Sequence, residues 1–114
     1  MKLSAVRKLA LSLPEVTEEP HFHYSSFRVC GKIFVTVPPE GTHVHIFVDD
    51  QHRESALALY PEFIEKLFWA GKVRGLRVAL TSAKMSIVNS LVRSAWRAKA
   101  PRRLITETER GSGE

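Results

Sequence analysis

Apolar residues recur along this chain with two different periods, and the places where the period changes mark its elements. Leu3, Val6, Leu9, Ala10 and Leu13 follow helical spacing while Lys2, Arg7 and Lys8 fall mostly on the other side, so the spacing predicts an amphipathic helix that Pro14 stops. Between Pro14 and Pro20 three glutamates surround Val16 and Thr17, a composition that favours a loop. From His21 the period falls to two. Phe27 and Val29 alternate with Arg28 and Cys30, Gly31-Lys32 makes a turn, and Ile33, Val35 and Val37 alternate with Phe34 and Thr36. Pro38 to Gly41 makes the next turn, after which Val44, Ile46 and Val48 oppose His43, His45 and Phe47. The pattern is that of a three-stranded antiparallel meander.

Asp49 or Asp50 is placed to cap a helix carrying Arg53 to Tyr60, with Ala56, Leu57 and Tyr60 at core-compatible spacing. Pro61 interrupts it, and Phe63, Ile64, Leu67 and Phe68 suggest a further short helical turn before Gly71. Leu76, Val78 and Leu80 set against Arg74, Arg77 and Ala79 predict a strand kinked at Gly75. Thr81 or Ser82 then serves as N-cap for a last helix running to about Ala98, before Pro101. That helix places Ile87, Val88, Leu91, Val92, Ala95 and Ala98 on one side and Ser86, Ser90, Arg93 and Arg97 on the other.

The elements add up to an α+β fold: an antiparallel sheet of about five strands with the N- and C-terminal helices packed on one face, and a short helical insertion between Arg53 and Lys66. Val44, Ile46, Val48, Leu76, Val78, Leu80, Leu91 and Ala95 are the expected core. A length of 114 residues fits one domain, read as residues 1–100, followed by a tail over 101–114 that is basic at its start and flexible after it. No stretch approaches the ~20 apolar residues of a membrane helix, and the chain does not open on a basic region followed by an unbroken apolar one. Cys30 is the single cysteine, which excludes an internal disulfide and a cysteine-built zinc site and suits a reducing cytoplasm.

Charge changes the picture most. The formal net charge is +5, and all twelve Asp and Glu residues lie outside the segment from Lys66 to Thr106. That segment holds Lys66, Lys72, Arg74, Arg77, Lys84, Arg93, Arg97, Lys99, Arg102 and Arg103. Positive charge concentrated in this way favours a polyanion, of which nucleic acid is the commonest. Arg93 and Arg97, one turn apart on the last helix, suit neighbouring phosphates, with Ser86 and Ser90 as hydrogen-bond donors farther up. Lys72, Arg74 and Arg77 suit a basic hairpin lying along a groove, and Lys99, Arg102 and Arg103 extend the basic run. The plain alternative is that a surface helix must put something polar outward and arginine is a good helix former. Trp69, beside Phe68, reads as core or near-core, with stacking on a partner as the alternative.

Several segments resemble the MmcQ/YjbR family of small bacterial domains. They are Leu11 to Glu18 after the first helix, Phe27 to Phe34 in the hairpin, the aromatic-to-basic stretch around Trp69, and the final helix with Arg93-Ser94, in that order over roughly residues 3–100. The resemblance implies a frataxin-like (CyaY-like) α+β fold and a DNA-binding label resting on a winged surface; it implies no catalytic residues. The Phe68-Trp69-Ala70-Gly71 segment is less polar than the family pattern.

Other chemistry finds little support. His43 and His45 share a strand face and His21 and His23 lie nearby in sequence, but no third metal ligand is fixed by spacing, and no metal or cofactor is expected. The first helix carries no acid, which disfavours iron handling on charge. Cys30 with His21 or His23 lacks an orienting third group and reads as a small strand residue. There is no phosphate loop, no dinucleotide glycine fingerprint and no paired catalytic carboxylates, so a non-enzymatic role is expected. The two functions left are binding of double-stranded DNA, mainly through phosphates, and a protein-interaction or small-ligand module using an exposed sheet face with Phe34, His43, His45 and Phe47.

Overall fold

The computed structural model describes residues 1–112 and has the expected α+β architecture, with six strands where about five were expected. In chain order the elements are α1 (Leu3–Ser12), β1 (Val16–His21), β2 (Tyr24–Val29), β3 (Lys32–Val37), β4 (His43–Ile46), α2 (Asp50–Leu59), β5 (Ile64–Trp69), β6 (Lys72–Ala79), α3 (Met85–Lys99) and α4 (Arg102–Ser112). The strands form one antiparallel sheet in the order β1-β2-β3-β4-β6-β5.

The register explains how one sheet serves two purposes. Glu18, Phe27, Val35, Ile46, Leu76 and Lys66 lie side by side across all six strands, and the four central residues are fully buried. Each of those four contributes about 1.5–3 kcal/mol through burial. The adjacent residues form a polar row on the other face: Glu19, Ser26, Thr36, His45, Arg77 and Glu65. The apolar side is covered by α3, which buries Val88, Leu91, Val92, Ala95 and Trp96 and lies over β3 and β4, and by α1, which buries Val6 and Ala10 against it. The Trp96 indole N–H donates to the Pro14 carbonyl (3.1 Å), locking α3 to the end of α1.

The expected core residues are all buried. Five expectations need correction. The Pro14–Pro20 loop is the edge strand β1, held by its ladder to β2 although Glu18, Glu19 and Pro20 are exposed. The helical turn at Phe63 to Phe68 is instead β5, paired with β6 as the opposite edge. The cap of α3 is Lys84 rather than Thr81 or Ser82, because the chain first turns through an Ala83 N–H to Leu80 carbonyl bond; Ala98 is exposed. Phe34 is fully buried, since an extra residue in β3 opposite Phe27 and Arg28 breaks the alternation there. Finally, the start of the tail is α4, anchored by buried Leu104; only its last residues, Gly113 and Glu114, lie outside the described residues. Among the described residues no helix is long and apolar enough to cross a membrane.

Candidate functional site

The β5–β6 hairpin is the most exposed part of the cationic run. Its turn, Ala70-Gly71, has both residues at positive φ (52° and 76°), the conformation whose twist matches a two-residue hairpin. Gly71 takes it without strain. Ala70 carries a Cβ into the left-handed region and is the strained half of the turn. Trp69 pairs with Lys72 beside the turn and Phe68 with Val73, and the bulge on β6 sets Arg74 as the extra residue. Trp69 is 74% and Phe68 61% exposed, which corrects the expectation that the tryptophan is core. Lys66, Lys72 and Arg74 are exposed, and among the described residues none of them pairs with a carboxylate. The hairpin is therefore a wing with bare positive charge around two large aromatic rings.

Elsewhere the acid-free stretch does not stay acid-free once folded. Arg97 on α3 pairs with Glu109 of α4, Arg103 pairs with Glu15 (3.2 Å), and Arg77 with Glu65 across the β5–β6 ladder (2.8 Å). The Arg103 hydrogen bond and charge hold the Glu15 carboxyl below the usual carboxylate range. Arg93 donates to Asn89 one turn back (2.6 Å), and Lys99 and Arg102 make no carboxylate pair among the described residues. Position separates the group further. Arg77 stands on the polar face of the sheet, whereas α3, with Arg93 and Arg97, covers the apolar face. The structure places Lys72 and Arg74 beside Trp69 at the hairpin tip, with Lys66 farther down β5 on the other face; it does not gather the eight cations onto one surface.

The polar face holds a second feature. Tyr24, Glu40, Thr42, His43, His45 and Arg77 line a shallow depression of about 220 Å³, with Pro38 at its side. His45 is 6% exposed, and its Nε2 is buried without a hydrogen-bond partner. Burial, and after it the charges of Arg77 and His43, push its pKa down to about 4, so the ring is neutral near pH 7. The Tyr24 ring leans over it with centroids 5.9 Å apart. With Phe34 and His45 buried, the four residues expected to form an exposed aromatic-histidine patch do not form one.

The remaining candidates are dispersed. His21 and His23 lie at the β1–β2 turn and Cys30 at the far end of β2, so neither histidine can activate the thiol. Among the described residues no three His, Cys, Asp or Glu side chains converge as metal ligands. Sequence reasoning missed the exposure of Phe68 and Trp69. The signal available was the tight Trp-Ala-Gly-Lys turn, which asks for two strands of period two rather than a helix.

Comparison with known proteins agrees with this architecture. A family model described as YjbR matches residues 11–98, most of the chain. The chain belongs to the YjbR family. Among solved structures, this YjbR protein is similar to protein DR2400 of Deinococcus radiodurans, assigned to domain DUF419, with a TM-score of 0.71 and 17% sequence identity over 83% of this chain and 75% of that one. At that identity the likeness is one of fold. A search of curated proteins returns no match. The matched region begins at Leu11, near the Pro14 carbonyl that receives Trp96, and ends within α3, so it spans the whole sheet and both faces described above.

Proposed function

We propose that this YjbR protein binds double-stranded DNA without catalysing a reaction, laying the β5–β6 hairpin along a groove as a wing. Lys66, Lys72 and Arg74 neutralise phosphates, and Trp69 packs against sugar or base edges with little sequence preference. The observation that carries this reading is the conjunction at one hairpin tip of cations facing no carboxylate with a tryptophan 74% exposed. A polyanion gains from releasing counterions there, whereas at Arg77, Arg97 and Arg103 it must first compete with Glu65, Glu109 and Glu15. The reading narrows the candidate residues: Arg93, Lys99 and Arg102 serve at most as outlying contacts.

A salt titration of binding to random duplex DNA, beside heparin, tests it. Duplex affinity is expected to fall steeply with salt and to exceed that for heparin at equal ionic strength. Binding that ignores salt, or heparin bound as well as duplex, would reduce the protein to a generic polycation and end the proposal.

A further inference from the structure

Two other members of the polar row that holds His45 are hydrogen-bonded through their side chains. The Ser26 hydroxyl donates to the Glu19 carbonyl (2.7 Å) and Arg77 donates to Glu65 through one of its nitrogens, leaving other N–H groups of the guanidinium on the wall of the depression. Among the described residues His45 alone keeps a buried side-chain nitrogen unmet, Nε2, and His45 is one of the residues that line that depression. Buried polar atoms are nearly always paired, so a lone one beside a concave surface that also holds Arg77 points to a place for a missing partner.

We propose that this depression binds a small organic acid through its carboxylate, with His45 Nε2–H and the Arg77 guanidinium as the two donors and the Tyr24 ring as the wall against the ligand's apolar body. The chemistry narrows to a carboxylate for three reasons. Two neighbouring donors on neutral His45 and cationic Arg77 suit a planar acceptor-only group. Glu65 already shares the arginine and Glu40 stands on the rim, so the site balances one negative charge better than two. A volume of about 220 Å³ holds a molecule of the size of an aromatic acid, not a nucleotide. Nε2 is closed off in the free protein, so on this proposal the half-exposed Tyr24 side chain, whose ring centroid lies 5.9 Å from that of His45, turns aside as the ligand enters. The site is separate from the hairpin tip and stands or falls independently of DNA binding.

Benzoate is the probe, with inorganic phosphate as comparison, read by calorimetry and by the side-chain nitrogen resonances of His45 and Arg77. Benzoate is expected to shift the His45 Nε2 signal saturably and to bind more tightly than phosphate. His45→Phe and Arg77→Met are each expected to weaken benzoate binding by about tenfold or more. His45→Gln, which places an amide donor near the same point, restores part of the loss and shows that a hydrogen bond rather than packing was removed. Lys72→Ala with Arg74→Ala leaves benzoate binding unchanged. Three results would each overturn the proposal: no saturable change at His45, full affinity in a folded His45→Phe protein, or phosphate bound as tightly as benzoate.

Discussion

The two halves of the cationic run look equivalent along the chain and behave differently once folded. From Lys66 to Arg74 the charges stand on the hairpin at one edge of the sheet, which carries Phe68 and Trp69 in solvent. From Arg93 to Arg103 they stand on helices, and helix packing brings carboxylates to them: Glu109 arrives with α4, and Glu15 from the start of the sheet. Charge density along a polymer is thus a poor guide to potential in space. What decides it is whether an element docks against an acidic neighbour or stands clear of one.

That contrast can be broken or sharpened by experiment. The largest effect is expected at His45, which burial, and after it the charges of Arg77 and His43, keep uncharged on the polar face. A histidine whose folded pKa is about 4 against an ordinary 6.5 takes up its proton more readily when unfolded. Stability is therefore full above about pH 6.5 and falls as the pH drops toward 4, by about 3 kcal/mol in all. Chemical denaturation across this range checks the slope, and His45→Phe should remove it while leaving the protein at least as stable near neutrality, since an unmet buried nitrogen goes with it.

A second comparison sets Lys72→Ala with Arg74→Ala beside Arg97→Ala with Arg103→Ala. The hairpin pair is expected to flatten the dependence of duplex binding on log salt by about two units, and the helix pair by well under one. Equal changes from the two pairs would erase the distinction between bare and neutralised charge. The smallest effect reverses the sign. Glu15→Gln and Glu109→Gln release Arg103 and Arg97, and each should tighten duplex binding slightly at low salt, by about a factor of two, with the gain lost as salt screens it.

Much of the fold was legible because its central strands keep one face apolar and carry polar residues on the other, buried or not. Val44, Ile46 and Val48, and Leu76, Val78 and Leu80, each read as alternation, and each sits in the core. The edge strands were not legible for the opposite reason. In β1 the ladder to β2 defines the strand while Glu18, Glu19 and Pro20 are exposed, so no apolar period marks it. At β5 and the residue before it, Phe63, Ile64, Leu67 and Phe68 imitate a helical face, yet only Phe63 and Ile64 are buried. The candidate site was half legible: Lys72 and Arg74 declared themselves by charge, but the release of Trp69 into solvent follows from the hairpin turn. The pairing of Arg97 with Glu109 depends on α4 folding back where a loose tail was expected. The isolation of His45 Nε2 depends on which neighbours the six-stranded register supplies, and no local pattern encodes that.

The exposed outer strands have a consequence for copies of this protein at high concentration. A neighbour approaching β1 edge-on meets two glutamates and a proline with no N–H to offer, and one approaching β5 meets Glu65 and Lys66. Lateral pairing is thereby disfavoured at β1 by residues that contribute almost nothing to the core, whereas at β5 the same kind of charges stand beside exposed Phe68 and Trp69.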